Sequence, residues 1–157
     1  MSERYTVHLD DLIEAGIEHK LAAFRGRCAV ANGCFDGLHP GHLEILAALD
    51  TIAYTRGFRP IVAINSDLSV RRLKGPSRPL IPQRARSLLI NYLKWPFTVV
   101  IFDEDSPQRL MDYLMPAVVV KGSEYTAESV VKWSGSEVVS VDMLPGWSTT
   151  SIIGDTR

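Results

Sequence analysis

Strand-like and helix-like segments alternate along this chain almost without interruption, and the alternation restricts the fold before any single residue is considered. "RCAVANGCF" is a short apolar run closed by turn residues, the pattern of a buried strand. "HPGHLEILAALDTIAYTRG" follows, with Pro40 in its first turn and Gly57 after its last, the asymmetry expected of a helix. "RPIVAINSD" is a second buried strand, so the unit is strand-helix-strand and implies parallel pairing through a right-handed crossover. The pattern continues through a basic loop "RRLKGPSRPLIP", a helix "QRARSLLINYLKW" stopped by Pro96, and a strand "FTVVIF". Next come a helix "SPQRLMDYLM" with Ser106 as N-cap and Pro107 behind it, a strand "AVVVKG", and a short helix "TAESVVKW". A strand "EVVSVDML" and a final helical turn in "GWSTTSII" complete the chain. Ahead of all this, "LDDLIEAGIEHKLAAF" carries Leu12, Ile13, Ile17, Leu21 and Phe24 near helical spacing, predicting a helical lead-in over 1–26. Five strands interleaved with helices predict an α/β, Rossmann-like, doubly wound five-stranded parallel sheet with helices on both faces, in one domain over 1–157.

Composition adds exclusions rather than chemistry. The 157 residues carry a net charge of −1, so no global field recruits nucleic acid or a membrane surface. No apolar run has the length of a membrane span, and "MSERYTVHLDD" lacks the apolar core of a signal peptide. Cys28 and Cys34 fall in one strand-to-loop segment, which suggests reduced thiols in a cytoplasmic protein rather than a disulfide framework. No repeat, linker or kinase-like second domain is expected within these residues.

In doubly wound sheets ligands bind beyond the carboxyl ends of the strands, and that is where the unusual residues gather. "NGCFDGLHPGH" follows the first apolar strand and places His39 and His42 three apart across a helix start, where unpaired N–H groups and the helix dipole favour an anion. Gly33 and Gly41 allow close approach to the backbone. Arg71, Arg72, Lys74, Arg78, Arg84 and Arg86 form a basic run without an acid, broken by Gly75, Pro76, Pro79 and Pro82. It reads either as a solvated face or as a shaped loop that meets phosphates and closes as a lid. Ser148, Thr149 and Thr150, behind Gly146, sit at a predicted helix start, as a cap or as a second phosphate cradle. In "VVVKGSEY", Gly122 could admit a base or ribose and Glu124 could accept from ribose hydroxyls, while Lys121 reads equally as a sugar-phosphate contact or a surface residue. Asp36 has three readings: a ligand to metal-bound water, an acceptor from a sugar, or a loop cap; the sugar-side role is preferred. Cys34 reads as a small packing residue rather than a nucleophile, since no motif pairs it with a base.

"NGCFDGLHPGH", "VAINSD", "RRLKGPSRP", "QRARSLL", "DEDSPQRL", "VVVKGSEY" and "GWSTTSII" together resemble the HIGH-type nucleotidyltransferases, and most the adenylyltransferase branch that makes ADP-heptose from heptose 1-phosphate and ATP. The resemblance covers nearly the whole chain. It implies that His39, His42 and Lys74 are catalytic at the phosphates, with Gly33, Cys34, Phe35, Gly41, Arg84, Gly122, Glu124, Gly146, Ser148, Thr149 and Thr150 at the nucleotide. Asp36, Asn65, Arg78 and Lys121 then fall to the acceptor. It also implies Mg²⁺ carried with the triphosphate, no protein-held metal, and a homodimer. Departures from the branch are Gly37, where it tends to have a branched apolar residue, a longer helix from His42 to Gly57, and a shorter connection from Tyr125 to Glu137. The alternatives are a glycerol-3-phosphate-type cytidylyltransferase, another phospho-acceptor adenylyltransferase, and a silent nucleotide-binding regulatory module. "MLPGWSTT" lacks the arginine that precedes the serine-threonine motif of the cytidylyltransferases, which disfavours the first.

Overall fold

Six strands, not five, pair into one wholly parallel sheet in the computed structural model, which describes residues 5–154 apart from the side chains of Tyr5 and Ile17. The ends of the 1–157 expectation and the Ile17 side chain lie outside those residues. The strands are β1 (Tyr5–His8), β2 (Cys28–Gly33), β3 (Arg59–Asn65), β4 (Thr98–Phe102), β5 (Val118–Gly122) and β6 (Glu137–Val141), in the order β1-β4-β3-β2-β5-β6. The added strand is β1, which lies at the edge with Tyr5 opposite Thr98. Four residues are too few to set up a visible alternation, so only pairing with β4 reveals it.

The lead-in also differs from its prediction. Gly16 has φ +55 and ends α1 (Leu9–Ala15), and two short 3-10 turns, Gly16–Glu18 and Lys20–Phe24, carry the chain on. Leu12 and Leu21 are buried as the spacing requires, although no single helix holds them. Downstream, α2 (Pro40–Arg56) has Pro40 in its first turn and left-handed Gly57 as its stop, as read from the sequence, and the structure adds His39 as its N-cap. A helix α3 (Asp67–Lys74) starts at Ser66 and takes up residues expected in the basic loop. α4 (Gln83–Asn91) ends before Pro96 is reached, and α5 (Gln108–Leu114) has Pro107 as its N-cap residue. The "TAESVVKW" segment forms turns, with Ser129 bonded back to Thr126, instead of the expected helix. α6 (Thr149–Ile153) caps the described chain.

Strand alternation sends side chains to two cores. Cys28, Val30 and Val119 pack with Leu12, Leu110 and Leu114 on one face, and Ala29, Ala31, Val118 and Val120 with Leu46, Leu49 and Ile90 on the other. After β2 the chain builds β3 and β4 to one side, then crosses to β5 and β6 on the other side of β2. The strand order therefore reverses between β2 and β5, and the crevice beyond that pair is the place such a sheet offers a ligand.

Candidate active site

A cleft of about 790 Å³ opens at that reversal point. Its rim collects the loops after β2, β3 and β5, the end of α3 and the segment leading into α6. Among the predicted residues, Gly33, Cys34, Phe35, Asp36, His39, His42, Asn65, Lys74, Arg78, Lys121, Gly122, Glu124, Ser148, Thr149 and Thr150 all line it. Gly41, Arg84 and Gly146 do not. Gly41 acts one step away, and Arg84 is exposed elsewhere on α4.

The histidines are held as a stack. His39 caps α2, its Nδ1 accepting from the His42 N–H at 3.4 Å, and the rings lie 3.7 Å apart at 25°. Phe35 supports the pair from below at 5.0 Å from His42, on a left-handed backbone of φ +48 that a non-glycine adopts only under constraint. Burial, reinforced by the adjoining His39, holds His42 down at about 4, against a backbone hydrogen bond at Gly37 that pulls upward. Burial lowers His39 as well. Burial thus favours the neutral form of both rings at neutral pH, and the buried His42 Nδ1 has no hydrogen-bond partner among the described residues. A Cβ at Gly41 would lie 2.9 Å from Met143 Cε, the free end of a flexible side chain, and 3.0 Å from His39 Cε1, so a larger residue would press on the histidine ring.

That contact also shows where the chain's end goes. Met143 crosses the start of α2, and Thr149 Cγ2 stands 3.9 Å from where a Gly37 Cβ would be, so the two predicted cradles meet over one cleft. Ser148 is occupied as a cap: its Oγ accepts from Ser151 N at 3.0 Å while Ser151 Oγ accepts from Ser148 N at 2.9 Å.

The fold sorts the basic run, which the sequence left as a single patch. Arg72 turns away to Asp105 at 2.7 Å and to the Asp103 carbonyl. Arg78 Nε donates to Asp36 at 2.6 Å, and the N–H groups of Leu80 and Ile81 complete the same carboxylate at 2.9 Å each. Burial would raise the Asp36 carboxyl, but these donors together hold it below its usual value. Of the three readings of Asp36, this geometry is the loop cap: both oxygens are engaged within the protein. Arg86 is buried at 1% exposure and donates to the carbonyls of Ile81, Cys34 and Asn65 and to Asp67 at 2.6–2.9 Å. Only Lys74, at the end of α3, reaches the cleft without a hydrogen-bond or ion-pair partner among the described residues.

Sequence reasoning missed Arg86 as an organiser. Its signal was its i, i+4 spacing from Ile90 on the buried stripe of α4, a place where a charge needs partners. Asn65 is internal too, donating to Ser69 Oγ at 2.9 Å and accepting from the Cys34 thiol at 3.8 Å. Burial outweighs the nearby cations and raises that thiol, so Cys34 packs as a neutral group. Asn32, Tyr125 and Trp147, which the sequence did not single out, also line the cleft.

Among the described residues, no group of three His, Cys, Asp or Glu side chains converges to hold a metal ion. Asp36 is filled, and Asp105 is paired with Arg72. These side chains fit an ion that arrives on a triphosphate, with phosphate oxygens and water as its ligands.

The chain is 46% identical over 154 residues to the bifunctional protein HldE of Rhodopseudomonas palustris, covering 92% of this chain and 30% of that protein. It therefore spans about a third of the length of that relative. Two solved structures share the fold at low identity. One, a lipopolysaccharide core biosynthesis protein from Thermoplasma volcanium, has TM-score 0.55 and 19% identity, over 74% of this chain and 96% of that one. The other, a macrolide-efflux protein from Streptococcus pneumoniae, has TM-score 0.57 and 16% identity, over 87% and 50%. The cytidylyltransferase-like family model matches residues 30–150, which take in the HPGH turn, the sheet reversal and the serine-threonine segment, and the chain belongs to that family.

Proposed function

We propose that this chain is an adenylyltransferase that joins ATP to a sugar 1-phosphate of the heptose type, releasing pyrophosphate. The observation that carries the reading is the convergence of His39, His42, Lys74 and the Ser148–Thr150 segment on one cleft at the β2/β5 reversal. The motif resemblance supports ATP and a heptose-like acceptor, and the missing arginine in "MLPGWSTT" disfavours a glycerol-3-phosphate-type cytidylyltransferase.

A phosphate oxygen of the acceptor attacks the α-phosphorus as the bond to pyrophosphate breaks. Both the attacking group and the leaving group are adequate without a covalent enzyme intermediate, so alignment and charge neutralisation supply the acceleration. His39 and His42 donate neutral N–H groups to the α-phosphate. An approaching polyanion raises their affinity for protons, which lets them follow the charge that builds there. Lys74, without a hydrogen-bond or ion-pair partner among the described residues, neutralises the departing phosphates. Asp36, Arg78 and Arg86 keep the 78–82 segment and the loop after β2 in register around them. Mg²⁺ bound to the triphosphate would supply charge shielding for the leaving pyrophosphate. The proposal includes a cytoplasmic setting, supported by two free cysteines and by the lack of any described helix long and apolar enough to cross a membrane. It also includes a homodimer, which rests on the resemblance alone.

A pyrophosphate-release panel tests the reading. ATP, CTP, GTP and UTP are crossed with heptose 1-phosphate, other sugar 1-phosphates, glycerol 3-phosphate and FMN. Release with ATP and heptose 1-phosphate is expected. Release confined to CTP with glycerol 3-phosphate would replace the substrate assignment, and release with no pair would favour the regulatory module.

A further inference from the structure

Two helices of this chain cap each other. Asp67 is the first residue of α3 and Gln83 the first of α4, and each helix opens with N–H groups that its own backbone cannot serve. The Asp67 N–H donates to Gln83 Oε1 at 2.8 Å, and the Gln83 N–H donates to Asp67 Oδ1 at 2.7 Å. Arg86 Nη2 donates to the same Oδ1 at 2.8 Å, so α4 holds that carboxylate twice. Residues 68–82 therefore leave from and return to one clasp. Neither Asp67 nor Gln83 lines the cleft.

The clasp holds α3, and α3 ends in Lys74. Only Ser69 and Val70 of its eight residues are buried, so apolar packing does little to fix its direction. Its first turn is tied to the end of β3 and the loop after β4: Ser69 Oγ donates to the Glu104 carbonyl and accepts from Asn65 Nδ2, each at 2.9 Å. A tie at one point leaves a rod free to swing about it. The clasp ties the same turn to a second element, α4, and removes that freedom. Farther along, the Arg72–Asp105 pair is exposed on both sides, and a pair so well hydrated adds little. Lys74 stands about 10 Å along the helix from Asp67, so a swing of about 10° at the base carries its backbone about 2 Å. A misplacement of that order can cost about 10²-fold in rate at a reacting centre.

We propose that Gln83, through its clasp with Asp67, is a positioning residue that directs Lys74 toward the polyphosphate. The inference rests on the proposed function for the role of Lys74. Gln83 is the member that can be changed alone, because its side chain makes one hydrogen bond among the described residues, whereas Asp67 serves both Gln83 and Arg86. Glutamate at 83 keeps the accepting oxygen, and leucine removes it.

A double-mutant cycle tests the role, comparing wild type, Gln83→Leu, Lys74→Met and the double variant. One readout is kcat for pyrophosphate release from ATP with heptose 1-phosphate. The other, which needs no turnover, is the calorimetric preference for a non-hydrolysable ATP analogue over AMP. Lys74→Met is expected to lower kcat about 10²-fold and the preference about tenfold. Gln83→Leu is expected to lower kcat about tenfold and the preference about threefold, with the KM for the acceptor changed less than about twofold. In the Lys74→Met background Gln83→Leu is expected to change neither, since no ammonium remains to be directed. Gln83→Glu is expected to restore both readouts. Melting curves confirm that each variant is folded, and Gln83→Ala takes the place of a leucine variant that is not. Losses that multiply in the double variant, an unchanged Gln83→Leu, or a failed rescue by Gln83→Glu overturn the positioning role. So does a Lys74→Met variant silent in both readouts. A wild type that releases no pyrophosphate sinks the transferase reading instead, and the cycle in analogue binding then decides the role of Gln83 by itself.

Discussion

His39 and His42 stack with their rings 3.7 Å apart, and burial lowers the proton affinity of both; in the proposed reaction they donate to the α-phosphate. Replacing His42 with alanine removes one transition-state donor, and turnover is expected to fall about 10²-fold or more with a smaller change in the KM for ATP. Steady-state kinetics on the folded variant checks this. The same residue links stability to pH. His42 holds its proton less well in the folded chain, at about 4, than at its ordinary value of 6.5, so the unfolded chain binds the proton first as pH falls. Stability should be complete above about 6.5 and decline from there toward 4, with His39 acting in the same direction. Urea unfolding at pH 7.5 and pH 5 should show the loss, and His42→Gln should lessen it. An equal loss in the variant would assign the effect to other groups. Arg86 carries a structural burden instead. Arg86→Met leaves three carbonyls and Asp67 without their donor, and breaking such a buried pair costs about 3–5 kcal/mol. Denaturant titration of the variant measures that directly.

Between residues and the whole stand the elements that deliver them. α2 delivers the histidines, and its first turn is built around the absence of a Cβ at Gly41. Gly41→Ala would ordinarily favour a helix by roughly 1 kcal/mol, but here it drives a methyl group against Met143 and the His39 ring. Turnover is therefore expected to fall about tenfold while the melting temperature changes little; unchanged turnover would show that the segment near Met143 yields at no cost. α6 presents the opposite case, with none of its residues buried and Ile152 exposed at 54%. An element with so little packing belongs to the low-stability end of a fold. Its amides should exchange rapidly in the free chain and slow when an ATP analogue binds, as hydrogen exchange would record. Equal exchange in both states would separate α6 from the nucleotide.

At the scale of the molecule, the reversal of strand order between β2 and β5 explains why loops distant in sequence share one cleft. Ligand that bridges them stabilises the folded chain as a unit. At about 100 times its Kd, an ATP analogue adds roughly 2.7 kcal/mol, a rise of about 5–10 °C in Tm for a domain of this size. Thermal melts with and without the analogue test it, and a shift equally large with sulfate would mean a general anion effect.

Much of this could be read from the residues in order. Runs such as "PIVAI" are apolar at every position because both faces of a parallel strand are covered, and Pro40 and Gly57 bound α2 by their local backbone preferences alone. The glycines, histidines and hydroxyls at strand ends could be picked out because such positions are where this architecture places ligands. Local pattern did not carry the edge strand β1, whose only warrant is its pairing with β4, nor the breaking of the lead-in at Gly16. It could not divide the basic run either. Six cations close in sequence look alike until tertiary contacts give Arg78 to Asp36, Arg72 to Asp105 and Arg86 to buried carbonyls, and Lys74 alone of the six lines the cleft without a partner among the described residues. Periodicity and capping depend on a few neighbouring residues, whereas the partner of a charge is chosen by chain segments dozens of residues away.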